Sequence, residues 1–204
     1  MNNGFQPHAE FNPTECEEIR NWRRGERKRL IAERLTISAA TRRSYTEEIA
    51  AGLDILIGGI AGLTCSVYWP FRGEPDLRHW MESVRAHGGT CALPCVVQRH
   101  FPLAFRVWKP GVRMERGIWN IPVPAPGSEV TPDIIIAPVV GFDRAGYRLG
   151  YGGGYFDRTL AALSTKARSI GVGFSLAEVP TIFPQHFDVP MDAIVTEKGI
   201  IHGG

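Results

Sequence analysis

The sequence predicts an α/β fold: an open, mostly parallel sheet flanked by helices, with a basic helix at the N-terminus. Three observations lead to it. Short apolar, β-branched runs alternate with helical patterns along most of the chain, as strands joined by crossover helices do. One run, "DIIIAPVVGFD", is apolar almost throughout, as expected of a central strand covered on both faces. A glycine-rich segment, "RLGYGGGYFDRTL" from Arg148 to Leu160, then joins that run to a helix. Open α/β sheets of the Rossmann-like kind bind their ligands in such loops, beyond the carboxyl ends of the strands.

Each element follows from local chemistry. Residues 1–12 are polar, carry Gly and Pro, and are expected to form a flexible tail. Residues 13–204 are expected to form one α/β domain, because no repeat or linker-like stretch divides them. From Pro13 to about Leu35 the pattern is a strongly charged helix with the basic cluster "RNWRRGERKRLIAERL". A second helix is capped at Ser38 or Thr41 and stops at the Gly58-Gly59 pair. "LTCSVYWP" reads as a strand, "PDLRHWMESVRAHG" as a helix and "TCALPCVV" as a strand. "LAFRVWKP" and "GIWNIPVP" are expected to be short extended pieces, the latter broken by prolines. After the glycine loop come the helix "GYFDRTLAALS" and the strands "SIGVGFS" and "DAIVTE".

Composition narrows the function classes. The chain has 204 residues, 44% of them hydrophobic and 22% charged, which is enough apolar material for a substantial core. No apolar run approaches the roughly 20 residues that cross a bilayer, and the N-terminus lacks the apolar stretch of a secretory signal. A cytoplasmic protein without a membrane partner is expected. A net charge of +2 argues against a dedicated nucleic-acid binder. Of the 23 basic residues only four are lysines, and the arginine excess suits anionic small ligands, whose phosphates and carboxylates match the guanidinium fork. Cys16, Cys65, Cys91 and Cys95 have no metal-binding spacing and read as buried, reduced thiols.

The glycine segment carries the chemistry. Gly150, Gly152, Gly153 and Gly154 let consecutive backbone N–H groups curl around an anion, and the following helix N-terminus adds partial positive charge. Arg148 supplies a full charge at the loop entrance. As a loop residue it is expected to contribute little to core packing. The segment is not a Walker A loop, since no Gly-Lys-Ser/Thr occurs, nor a dinucleotide fingerprint, since Tyr155 stands where the third glycine would be. Asp157, in the first helical turn, is favoured there by the helix dipole and is also placed to hold magnesium beside bound phosphates. A second carboxylate would come from Asp188 or Asp192 in "HFDVPMDAIV".

"VVGFDRAGYRLGYGGGYFDRTL" closely resembles the signature of the 5-formyltetrahydrofolate cyclo-ligases, also called methenyltetrahydrofolate synthetases. The basic N-terminal helix, "YWPFRGEPD", "WNIPVP" and "HFDVPMDAIVTE" fit the same family, in the same order. The resemblance implies ATP-dependent closure of 5-formyltetrahydrofolate, with or without a polyglutamate tail, to 5,10-methenyltetrahydrofolate, with release of ADP and phosphate and with magnesium (Mg2+). It implies a nucleotide loop at Arg148, Leu149, Gly150, Tyr151, Gly152, Gly153, Gly154, Tyr155 and Phe156, with Arg148 as the catalytic group. It places phosphate contacts at Arg23 and Arg27, metal ligands at Asp157 and Asp188, and the pterin-side carboxylate at Glu74. Phe71, Trp119 and Tyr155 would then line the folate pocket.

The chain departs from the family pattern at three positions. Arg23 stands where lysine is frequent, and Tyr151 and Gly153 stand where some members carry basic residues. Fewer charges then meet the triphosphate, so the alternative reading is a divergent or non-catalytic paralogue that binds folate or nucleotide. Helix packing for Tyr155 and Phe156, a solvated helix face for Arg23 and Arg27, and helix capping for Glu74 are the competing structural roles.

Overall fold

The computed structural model describes residues 13–163 and 167–203, with side chains from residue 17 onward. The tail expected at 1–12 lies outside the described residues. Helix α1 spans Pro13–Thr36 and α2 spans Ala39–Ile57. The caps of α2 are the expected ones: Ser38 Oγ accepts from the Thr41 N–H at 3.1 Å, and Gly58 turns the chain away at φ 72°. Strand β1 (Thr64–Ser66), helix α3 (Arg78–Ala86), β2 (Thr90–Cys95) and β3 (Ala104–Trp108) follow. Then come β4 (Met114–Arg116), β5 (Pro122–Pro124), β6 (Ile134–Pro138), β7 (Gly141–Phe142), β8 (Arg148–Leu149) and helix α4 (Tyr155–Ala162). The described chain closes with β9 (Arg168–Val172), β10 (Ala193–Thr196) and β11 (Gly199–His202).

Seven strands form one sheet in the order β11-β10-β9-β6-β1-β2-β3. The five inner strands pair in parallel, and β3 and β11 add antiparallel edges. The chain moves outward from β1 to β2, returns across β1 to β6, and moves outward again to β9 and β10. The direction of winding therefore switches between β1 and β6, where the ends of neighbouring loops diverge and leave a crevice.

The pleat explains why "DIIIAP" is apolar throughout. Ile134 and Ile136 pack with Ile49, Leu53, Met81 and Val84 of α2 and α3. Ile135 and Ala137 point the other way, toward groups that include Phe156 and Leu160 of α4. Alternate residues thus serve opposite layers, and each fully buried isoleucine contributes about 1.5–3 kcal/mol. Cys65, Cys91 and Cys95 are buried free thiols, and burial pushes Cys91 and Cys95 up to about 11, away from the reactive thiolate. Among the described residues no helix is long and apolar enough to cross a membrane.

Two expectations need correction. "GIWNIPVP" is not extended throughout. Ile118–Asn120 form a 3-10 turn between β4 and β5, with Trp119 and Asn120 at φ 55° and 62°. The segment after β6 is not a plain loop either, since β7 and β8 form a hairpin in it. Asp143 builds that turn by accepting from the backbone N–H groups of Ala145 and Tyr147 at 3.1 and 3.2 Å, and Gly146 supplies the left-handed conformation at φ 87°.

Candidate active site

The crevice at the β1/β6 switch is an open cleft whose empty space, mouth included, is about 940 Å3. Tyr68 and Trp69 follow β1, Val96 follows β2 and Pro138 ends β6, so the walls come from the carboxyl ends of three adjacent strands. The glycine loop closes one side. Gly152 and Gly154 adopt φ 92° and 61°, which side-chain-bearing residues rarely take.

Two arginines hold this loop from outside. Arg27 of α1 donates from Nε to the Gly150 carbonyl at 2.7 Å, and Arg158 of α4 donates to the Gly153 carbonyl while lying over the Tyr155 ring. Arginines thus engage two of the loop's carbonyl oxygens, and the loop runs into the first N–H groups of α4, which have no intrahelical acceptor. The loop has the chemistry of an anion cradle.

Arg148 lies on β8, not in the loop, and it is buried. The β7/β8 hairpin carries it inward, so the expectation of little core packing fails. Its guanidinium sits over the Phe156 ring, with Nη1 3.4 Å from Asp157 Oδ1. Burial holds its pKa below the usual guanidinium value, and Asp157 and Asp188 partly offset that. Nε has no hydrogen-bond partner among the described residues. A buried cation with an unused donor at the edge of a cleft is suited to an incoming anion.

The other charged candidates separate into groups. Arg23 pairs with Asp188 at 2.5 Å and also donates to the carbonyls of Ile182 and Phe183. Asp157 lines the cleft and has a side chain 16% exposed. Asp192 stands before β10, at the amino end of the strand and away from the cleft, and accepts from Ser169 N and Oγ. Among the described residues no three His, Cys, Asp or Glu side chains form a ready metal cluster. A hard dication that brings phosphate oxygens with it needs only one or two carboxylates, and Asp157 meets that requirement at the cleft.

On the opposite wall stand Phe71, Glu74, Trp119 and Tyr151. The Tyr151 ring packs 5.7 Å from Phe71 and 5.8 Å from Trp119. Trp119 is 51% exposed and strained at φ 55°, an arrangement that packing alone does not explain. Glu74 is buried; it accepts from the Phe71 N–H at 2.8 Å and from the Tyr151 hydroxyl at 2.7 Å. Burial pushes its carboxyl up to about 7, against the opposing pull of Arg34 and of these hydrogen bonds.

The sequence profile of the 5-formyltetrahydrofolate cyclo-ligase family matches residues 19–197, from α1 to the last parallel strand. The chain belongs to that family. The 5-formyltetrahydrofolate cyclo-ligase of Mycolicibacterium smegmatis is 30% identical over 183 residues, 84% of this chain and 92% of that protein. The cyclo-ligase of Haemophilus influenzae is 31% identical over 136 residues, 62% of this chain and 71% of the relative. The structure of 5,10-methenyltetrahydrofolate synthetase from Aquifex aeolicus superposes with a TM-score of 0.75 at 28% identity, covering 88% of this chain and 92% of the other. The Mycoplasma pneumoniae synthetase shares the fold, with a TM-score of 0.68 at 21% identity over 86% of this chain and 98% of the other.

In this cyclo-ligase-family chain the fold brings Arg148, Asp157 and the glycine loop to one side of the cleft, with Arg27 holding the loop from outside, while Arg23 and Asp188 do not line it. It brings Phe71, Glu74, Trp119 and the Tyr151 ring to the other, and Tyr155 also lines the cleft. One buried cation escaped the sequence reading. Arg34 donates to the Tyr151 hydroxyl at 2.8 Å, to the Arg72 carbonyl at 3.0 Å and to the Val139 carbonyl at 3.4 Å. Its signal was periodicity: Arg23, Arg27, Leu30 and Arg34 recur at i, i+4, i+7 and i+11, one face of a helix. That face turns inward, and Arg23, Leu30 and Arg34 are all buried.

Proposed function

We propose that this chain closes 5-formyltetrahydrofolate to 5,10-methenyltetrahydrofolate at the expense of ATP, releasing ADP and phosphate, with residues 13–204 acting as one cytoplasmic domain. The observation that carries the reading is the two-sided cleft. One side is an anion cradle with a buried arginine, and the other is an aromatic wall with a buried carboxylate. A reaction that passes the γ-phosphoryl group of a triphosphate to a formyl group carried on a pterin needs those two surfaces facing each other. The family match over residues 19–197 supports the same conclusion.

In this reading the glycine loop from Leu149 to Phe156, with Arg23 and Arg27 behind it, binds the triphosphate. The formyl oxygen of the folate takes the γ-phosphoryl group, ADP leaves, and N10 attacks the activated formyl carbon, giving up its proton to the departing phosphate or to solvent. The carbon–oxygen bond then breaks and the oxygen departs with phosphate. Catalysis of this kind rests on positioning and charge stabilisation more than on a proton-transfer residue. Arg148 is the group placed to stabilise charge on the transferring phosphoryl. Phe71, Trp119 and Tyr155 enclose the pterin, and Glu74 accepts from its ring N–H groups. Magnesium bound to the triphosphate would offset its negative charge, with Asp157 as first ligand and Asp188 as second.

Incubation with 5-formyltetrahydrofolate, ATP and magnesium, followed by the near-ultraviolet absorbance of the methenyl product, tests the reading directly. Product should appear in step with ADP. ATP turnover of equal rate without folate would overturn the closure reading, and folate binding without turnover would favour the non-catalytic alternative.

A further inference from the structure

We propose that Arg34 and Tyr151 are positioning residues that hold Glu74 as the folate-side acceptor, so that Tyr151 serves the folate wall and not the triphosphate. The inference rests on the folate reading above and assigns roles that the glycine signature does not suggest.

The hydrogen bonds fix the direction of the relay. Arg34 Nη2 donates to the Tyr151 hydroxyl oxygen at 2.8 Å. A guanidinium has only donors, so the tyrosine oxygen must accept there and has one proton to give. Glu74 Oε1 lies at 2.7 Å and the Phe71 carbonyl at 3.5 Å, so geometry sends that proton to the carboxylate. Arg34 itself approaches Glu74 to 4.0 Å, with both side chains nearly closed to solvent. Glu74 Oε2 is fixed in turn by the Phe71 N–H. Among the described residues Tyr151 and the Phe71 N–H orient the carboxylate, and Tyr151 is the hydrogen-bonded link between it and Arg34 of helix α1.

The same tyrosine packs at tilted angles, 60° and 54°, against Phe71 and Trp119, so its ring is part of the aromatic wall. Its place in the sequence, between Gly150 and Gly152, suggests a phosphate contact. Its side chain points to the opposite surface of the cleft. The charged and titratable groups around Glu74 are Arg34 from α1, Tyr151 from the loop and Tyr68 after β1, with Asp76 acting on Tyr68. Tyr68 gives its hydroxyl proton to the Pro75 carbonyl at 3.0 Å, which leaves Tyr151 as the phenol bonded to Glu74.

Tyr151→Phe keeps the packed ring and removes the relay. The KM for 5-formyltetrahydrofolate should rise ~10-fold, because a hydrogen bond to a charged acceptor is lost, with the KM for ATP unchanged. The ionised carboxylate accepts from the pterin, so kcat/KM for the folate should fall as pH drops below about 7 in the wild type. Losing the tyrosine bond, which favours ionisation, should move that acid limb upward by roughly half a pH unit or more. Arg34→Lys, which keeps charge but loses the fork, should move it the same way. A thermal scan of each variant reports folding separately. An ATP KM that rises while the folate KM holds would return Tyr151 to the nucleotide side and overturn the assignment. An unmoved folate KM and acid limb would also overturn it. A wild-type protein that binds no folate would overturn the underlying reading instead.

Discussion

Arg23 and Asp188, 165 residues apart, meet in an ion pair at 2.5 Å, each with a side chain only 9% exposed. The guanidinium also holds the Ile182 and Phe183 carbonyls, so one residue of α1 ties together both ends of the stretch from Ile182 to Asp188. Asp188 in turn accepts from the Gln185 N–H at 2.7 Å. Removing one partner of a buried pair leaves the other charge uncompensated, which costs about 3–5 kcal/mol. Arg23→Ala should therefore lose stability on that scale in urea denaturation. A loss below about 0.5 kcal/mol, as for a solvated helix face, would show that the pair does not organise this segment.

Arg148 should contribute to both stability and turnover. If it stabilises charge on the transferring phosphoryl, Arg148→Ala lowers kcat by ~10- to 1000-fold. Because the side chain is buried 3.4 Å from Asp157, the same substitution should also cost roughly 3 kcal/mol. Arg148→Lys should recover part of the stability and little of the turnover, since a point charge does not reproduce the fork. Full kcat in a destabilised Arg148→Ala protein would make the residue structural only.

Glu74 predicts a pH dependence of folding. Its folded-state pKa is raised to about 7 by burial, above the 4.5 of a free carboxyl. Between those values the folded protein binds more protons than the unfolded chain, so stability falls as pH rises from about 4.5 to about 7 and then levels. The total should be of the order of 1–3 kcal/mol, at about 1.4 kcal/mol per pKa unit. Glu74→Gln should flatten that stretch of the curve. Denaturation midpoints that rise equally with pH in both proteins would contradict it.

The alternation of strands and helices, the buried run of β6 and the caps of α2 were legible because each has a local cause. Period-two burial, β-branched residues and a serine followed by helical residues need no distant partner to be read. What was not legible depended on pairing across the chain. Short β4 and β11 carry too few residues to show a period, and β7/β8 is specified by the Asp143 turn more than by hydrophobicity. The glycine signature marked one side of the cleft, but the direction of the Tyr151 side chain could not be read from it. Arg34 looked like one more charge on a charged helix until Tyr151 and Glu74 were brought against it.

Asp157 separates an enzyme from a binding protein. It sits in the first turn of α4, beside Arg148, and accepts weakly from the Val189 N–H at 3.4 Å. Asp157→Asn keeps the size and one acceptor oxygen but removes the charge. The buried Arg148 guanidinium 3.4 Å away loses its countercharge, so the substitution should cost roughly 3 kcal/mol of stability. That is more than the about 1 kcal/mol of a helix-dipole interaction, so turnover is compared on folded protein. As a magnesium ligand beside the triphosphate, its loss should sharply reduce turnover at limiting magnesium, and excess magnesium should restore part of it. Folate affinity measured without ATP should hold, because Phe71, Glu74 and Trp119 lie on the other wall. Unchanged turnover at limiting magnesium would remove Asp157 from the metal site, and a parallel loss of folate affinity would show that the two walls of the cleft are not independent.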